Sequence, residues 1–136
     1  MKENYSIVLA DDDPDDHCFF QQALNTINSD CVLTSVYYGS ELLDYLHKKG
    51  EQDDSKTRDP HVIILDLNMP VLNGFETLKK IKLNEHINKI PVYILSTTKP
   101  FNQEKEVIEL GAEGYYEKPC STKKLEQIIA EILIGL

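Results

Sequence analysis

Short apolar runs alternate with amphipathic stretches along the whole chain. Tyr5-Ser6-Ile7-Val8-Leu9-Ala10 is apolar and bounded by acids, and reads as a buried strand; residues 31–37, 61–66, 91–96 and 113–117 repeat the pattern. Between these runs the period lengthens. Phe20, Ala23, Leu24 and Ile27 recur at helical spacing and define one buried face. Leu42, Leu43 and Leu46 mark a second helix, capped by Ser40 and ending near Gly50. Phe75, Leu78 and Ile81 mark a third, reaching about His86, and Val107, Ile108 and Leu110 a fourth that Gly111 stops. Leu125, Ile128, Ile129, Ile132 and Leu133 give the last helix the clearest period of all.

Five strand–helix alternations without a repeat predict an α/β protein, a doubly wound parallel sheet with helices on both faces. Residues 51–60 are polar and aperiodic, which predicts one long, mobile loop. The chain ends soon after the fifth helix, so residues 1–136 are read as one domain with no room for an effector domain.

Composition narrows the function. A net charge of −9 and the absence of a basic stripe argue against nucleic acid, and the lysine pairs at 48–49, 79–80 and 123–124 read as solvated helix faces. No apolar run approaches the length of a membrane span, and the N-terminus has no signal-peptide pattern. Cys18, Cys31 and Cys120 are scattered and odd in number, which points to reduced thiols and a cytoplasmic protein. The histidines at 17, 47, 61 and 86 share no ligand spacing with one another or with the cysteines.

Chemistry collects where ligands bind in such sheets, at the carboxyl ends of the strands. The first, third, fourth and fifth runs end in Asp11-Asp12-Asp13, Asp66, Ser96-Thr97-Thr98 and Lys118. Asp13 is better placed as the N-cap of a helix opened by Pro14, with Asp15 and Asp16 as first-turn acids favoured by the helix dipole. Asp11 and Asp12 precede that cap, and metal binding is the better account of their clustering. Oxygen donors without Cys or His select a hard cation, Mg²⁺ or Mn²⁺. A carboxylate at Asp66, a divalent clamp, the Lys118 ammonium and the Ser96 hydroxyl together make the inventory of phosphoryl transfer.

Four stretches in order, Leu9-Ala10-Asp11-Asp12-Asp13-Pro14, Ile64-Leu65-Asp66-Leu67-Asn68-Met69-Pro70 with Asn73-Gly74, Pro91-Val92-Tyr93-Ile94-Leu95-Ser96-Thr97, and Gly111-Ala112-Glu113-Gly114-Tyr115-Tyr116-Glu117-Lys118-Pro119, carry a resemblance that spans essentially the whole chain. The chain resembles a response-regulator receiver domain, the CheY-like partner of two-component histidine kinases. The loop before the third strand and Ser-Thr-Thr after the fourth look most like the small regulators that partner bacteriophytochromes.

The resemblance implies a flavodoxin-like (βα)5 fold with strand order 2-1-3-4-5, and a signalling protein that is not an enzyme. It implies Asp66 as phosphoacceptor, with Asp11, Asp12, Asp66 and the backbone carbonyl of Asn68 around the metal. Ser96 matches the switch hydroxyl, Lys118 the phosphoryl-contacting lysine and Tyr115 the aromatic switch, and the Lys118–Pro119 bond would be cis. The implied partners are a sensor histidine kinase or histidine phosphotransfer protein, a downstream protein target, and a second copy met through the fourth helix, fifth strand and fifth helix. Ser96 stands where threonine is commoner, and Thr97 where a small residue is usual, so its bulk would slow phosphodonor access. Asn68 and Thr98 occupy positions that tune dephosphorylation.

Two other readings are open at this point. A phosphohydrolase of the haloacid-dehalogenase type would also use Asp66 as nucleophile, but places an acid where this chain has Asn68. A receiver fold without phosphorylation could serve as a docking module, which the complete set Asp11, Asp12, Asp66, Ser96 and Lys118 argues against.

Overall fold

The computed structural model describes residues 4–51, 60–69, 72–97 and 103–136, so most of the polar loop, Pro70 and Thr98 lie outside the described residues. Five strands alternate with five helices. They are β1 (Ser6–Ala10), α1 (Pro14–Ile27), β2 (Val32–Val36), α2 (Gly39–Glu51), β3 (Val62–Leu65), α3 (Gly74–Leu83), β4 (Val92–Ser96), α4 (Gln103–Glu109), β5 (Gly114–Glu117) and α5 (Thr122–Ile134). All four pairings are parallel and the sheet order is β2-β1-β3-β4-β5. The expected fold class and strand order are what the chain adopts.

Alternation along the central strands builds two cores, one on each face. Ile7 and Leu9 of β1, with Val62 and Ile64 of β3, pack under Phe20, Ala23 and Leu24 of α1 and Leu125, Ile128, Ile129 and Ile132 of α5. Val8, Ala10, Ile63 and Leu65 face the other way, against Leu42 and Leu46 of α2, Leu78 and Ile81 of α3 and Val107 of α4. A strand buried on both faces must be apolar at every position, which is why Val62–Leu65 reads as an unbroken run and not as an alternation.

Local signals set the helix ends. Asp13 caps α1 by accepting from the Asp15 N–H at 2.9 Å, and Pro14 takes the first helical position. Gly111, at φ 108°, closes α4: its N–H reaches Ile108 O at 3.0 Å and the Ala112 N–H reaches Val107 O at 2.9 Å, the paired bonds of a Schellman turn. Ser40 is not a cap, however. The helix already begins at Gly39, with the Leu42 N–H bonded to Tyr38 O at 3.1 Å, and Gly39 lies hard against α3, where a Cβ would strike Thr77 Oγ1 and stand 2.9 Å from Leu72 O.

Gly74 makes the approach that matters most for the site. Its N–H bonds Leu67 O at 3.1 Å, and a Cβ there would run into Asp66 O and come within 2.6 Å of Leu67 Cα. The start of α3 therefore presses directly on the loop that carries Asp66. Gly74→Ala is expected to cost about 1–3 kcal/mol of stability, as overpacking does, read as a lowered urea midpoint with an unchanged m-value.

Candidate functional site

Backbone bonds that run past the strand ends place the site. The Asp11 N–H continues the β1–β2 ladder onto Val36 O at 3.1 Å, the Asp66 N–H continues β3 onto Ala10 O at 2.9 Å, and the Lys118 N–H bonds Ser96 O at 2.7 Å. Each functional residue thus starts from a backbone fixed by its neighbour strand. Asp11 and Asp66 end almost wholly buried, at 2% and 3% exposure, and Ser96 is fully buried.

Asp66 is held through both oxygens. Its Oδ1 accepts from Ser96 Oγ at 3.0 Å and from the Asn68 N–H at 3.2 Å, while its Oδ2 faces Lys118 Nζ at 3.4 Å. Asp11 accepts the Asp13 N–H at 3.0 Å on Oδ1 and Lys118 Nζ at 2.8 Å on Oδ2. Asp11, Asp12 and Asp66 each offer a carboxylate oxygen, and these atoms lie within 4.8 Å of one another. Three hard oxygens at that spacing, with one ammonium against them, fit a hard divalent cation.

The electrostatics reflect burial first and the gathering of charges second. Burial pushes Asp11 up to about 7, and the Asp66 charge adds to the rise against the pull of Lys118 and the Asp13 N–H. Burial alone would lower the Lys118 ammonium, but its bonds to Asp11 and Asp16 and the charges of Asp11 and Asp66 outweigh this and raise it. Burial leads at Asp11, whereas at Lys118 the surrounding acids outweigh it.

The remaining expected residues are placed as follows. Asp12 is exposed and completes the acid set, and Asp13 is the helix cap. Asn68 and Thr97 are exposed at the mouth, where Asn68 Nδ2 donates to Thr97 Oγ1 at 3.0 Å and lies 3.4 Å from Ser96 Oγ. Tyr115 is half-buried against the core on the α4 side and its hydroxyl reaches Gln103 Oε1 at 3.5 Å; burial first, then the charges of Glu117 and Glu104, raises its pKa. The Lys118–Pro119 peptide is trans, not cis as expected. What aims the lysine is its own N–H bond to Ser96 O and the acids around its ammonium.

Two residues without an assigned site role from sequence belong here. Asp16, which reads as a first-turn helix acid, stands 2.7 Å from Lys118 Nζ through Oδ2. His17 is buried and its Nε2–H donates to Asp11 O at 2.7 Å, with its ring tilted against Tyr37 at a centroid distance of 4.4 Å. Its Nδ1 is buried with no hydrogen-bond partner among the described residues. Neither role has a spacing signature, because one partner lies 102 residues away and the other is a backbone carbonyl. Beside Lys118, a cleft of about 180 Å³ opens between α1 and α5, bordered by Asp16, Phe19, Pro119 and Cys120.

The raised Asp11 value carries a sign. Between 3.8 and about 7 the folded chain holds a proton that the unfolded chain has released, so without divalent cations stability falls as pH rises through that window and levels off above it. Asp11→Asn removes this dependence. Its stability relative to the parent is expected to climb by up to about 1.4 kcal/mol per pH unit towards pH 7, measured by urea unfolding in chelator between pH 5.5 and 8.

Comparison with known proteins agrees with this geometry. Residues 7–130 match the family model described as the response regulator receiver domain. The chain is 33% identical over 129 residues to the response regulator Rcp1 of Synechocystis, covering 93% of this chain and 84% of that protein. It is 34% identical over 106 residues to the Arabidopsis thaliana two-component response regulator ARR7, covering 74% of this chain but only 52% of the plant protein. Among solved structures, the phosphorylated cyanobacterial phytochrome response regulator RcpA superposes with a TM-score of 0.82 at 29% identity, covering 96% of this chain and 91% of that one. The Mn²⁺-bound form of Rcp1 gives a TM-score of 0.79 at 28% identity, covering 94% and 91%. Family, fold and acid set converge: the chain belongs to the response-regulator receiver domains, signalling modules of two-component systems that act with a histidine kinase and are not themselves enzymes.

Proposed function

We propose that this receiver is phosphorylated on Asp66 and acts as a stand-alone response regulator, residues 1–136 forming one domain. The observation that carries the reading is the Asp66 carboxylate itself. It is buried, faces a hydroxyl and an ammonium, and shares its cluster with two further acids. A carboxylate so placed is desolvated and oriented before any donor arrives.

In the proposed reaction an Asp66 oxygen attacks the phosphorus of a phosphohistidine on a sensor kinase or phosphotransfer protein. The O–P bond forms as the N–P bond breaks, and the imidazole nitrogen keeps the electron pair and takes up a proton. Asp11, Asp12, Asp66 and the Asn68 backbone carbonyl would hold Mg²⁺ or Mn²⁺, which when bound supplies neutralising charge to the acids and the phosphoryl oxygens. Ser96 and Lys118, both already directed at Asp66, then turn to the new phosphoryl oxygens. That exchange biases Ser96 and Tyr115 towards the active arrangement.

Likeness to Rcp1 and RcpA supports a phytochrome-type photosensory kinase as donor. The half-buried Tyr115 and exposed Ile108 support the α4–β5–α5 face as the surface for a target or a second copy. No helix among the described residues is long and apolar enough to cross a membrane. The hydrolase alternative lacks its general acid, since position 68 carries a carboxamide, which has no acidic proton to give.

Incubation with acetyl phosphate or phosphoramidate and Mg²⁺ is expected to add one phosphoryl group, seen as an 80 Da mass increase of order one per chain. Asp66→Asn should abolish it; unchanged labelling would sink the assignment. Thr97→Ala removes the hydroxyl that Asn68 engages at the mouth. It should raise the labelling rate several-fold while leaving the Mg²⁺ affinity unchanged, as widened access alone would.

A further inference from the structure

We infer that Asp16 is the positioning residue for Lys118: it keeps the ammonium beside the acceptor when a divalent cation claims Asp11, an inference that rests on the reading of Asp66 as phosphoacceptor.

Lys118 Nζ has three N–H groups and faces three carboxylates, Asp16 at 2.7 Å, Asp11 at 2.8 Å and Asp66 at 3.4 Å. These acids are not equivalent. Asp11 and Asp66 belong with Asp12 to the set that can close on a cation, and Asp16 does not. A doubly charged ion among that set both competes for Asp11 and repels a neighbouring ammonium. Asp16 is then the partner left to hold the lysine. Without it the ammonium would either stay on Asp11, opposing the cation, or swing out towards solvent.

The backbone supports this division. Asp16 sits on the first turn of α1, whose start is pinned by the Asp13 cap and by the Asp16 N–H to Asp13 O at 3.1 Å. Lys118 is pinned at its own N–H by Ser96 O. Both ends of the pair therefore spring from fixed points, and the charge-assisted bond between them is pre-aimed. The Asp16 side chain is also 31% exposed, against 3% and 4% for Asp11 and Asp66. A partly solvated pair is weak enough to exchange, so the lysine can pass to a phosphoryl oxygen. Helix-dipole stabilisation does not account for the contact. Asp15 satisfies the dipole from the same turn while remaining exposed.

The test is a double-mutant cycle in the full chain, using Asp16→Asn, Lys118→Gln and the pair, with Asp16→Glu as the conservative control. Mg²⁺ affinity is read by calorimetry or by tyrosine fluorescence, since the chain has 7 Tyr and no Trp. Asp66 labelling by phosphoramidate is read at saturating Mg²⁺, and urea midpoints check the fold. Asp16→Asn is expected to weaken Mg²⁺ several-fold and slow labelling about tenfold, and to add nothing further once Lys118 is Gln; Asp16→Glu should recover most of both. Equal losses in the Lys118→Gln background would show a bulk-charge or structural effect and overturn the inference, as would parent-like Mg²⁺ affinity and labelling in Asp16→Asn. If the parent chain takes no label at all, the Asp66 reading fails instead, and the Mg²⁺ cycle alone still decides the role of Asp16.

Discussion

Two buried carboxylates on neighbouring strands are the constraint around which this molecule is arranged. The parallel ladder leaves no choice in the matter: Asp11 and Asp66 continue β1 and β3 by one residue each, and both strands are sealed on both faces by apolar side chains. Desolvating even one carboxylate is costly, and two within reach of a third cannot all stay ionised cheaply. The hydrogen-bond donors around the two acids answer that problem. Asp13 and Asn68 turn backbone N–H groups to the acids, Ser96 gives a hydroxyl and Lys118 a full charge. Burial still wins at Asp11, which is why its proton is held up to about 7.

That residual imbalance is useful to a receiver. A fully satisfied cluster would gain little from a cation or a phosphoryl group, whereas an electron-rich one binds the cation in order to lower its own energy. Under the proposed phosphorylation of Asp66, the groups around it would be displaced in turn. Ser96 and Lys118 contact the same acceptor from the ends of adjacent strands, joined by the Lys118 N–H to Ser96 O bond. A change in what they contact is therefore felt at β4 and β5 together. Tyr115, opposite Ile94 on the neighbouring strand and bonded to α4 through Gln103, is where the proposed switch would next be felt.

The fold and most of the site were legible in the sequence because both follow from local rules. Apolar runs of strand length, helical periods and caps fix the alternation, and strand ends must gather at one edge of a parallel sheet. Asp11, Asp12, Asp66, Ser96 and Lys118 fall at those ends and needed no further information. Asp16 was hidden because a local rule already explained it: an acid in the first turn of a helix is ordinary, and nothing in the sequence reports a partner across the α1–β5 gap. His17 was hidden for a different reason. Its partner is a main-chain carbonyl, which every residue has. Ser40 misled because its capping chemistry is real, but the helix begins two residues earlier, at Gly39, where the Leu42 N–H already bonds Tyr38 O.

His17 and Gly74 show how far the site's definition extends beyond the acids. One steadies the Asp11 main chain from α1, and the other lets α3 lie against the loop after Asp66. Neither bonds the Asp66 carboxylate, whose partners are Ser96, the Asn68 N–H and Lys118. Yet the carboxylates can be close without a flexible linker only because their backbones are clamped from both helical layers, α1 on one face and α3 on the other. The cost of the buried charges and the stiffness that holds them have the same origin, a sheet too well packed to let either acid retreat to water.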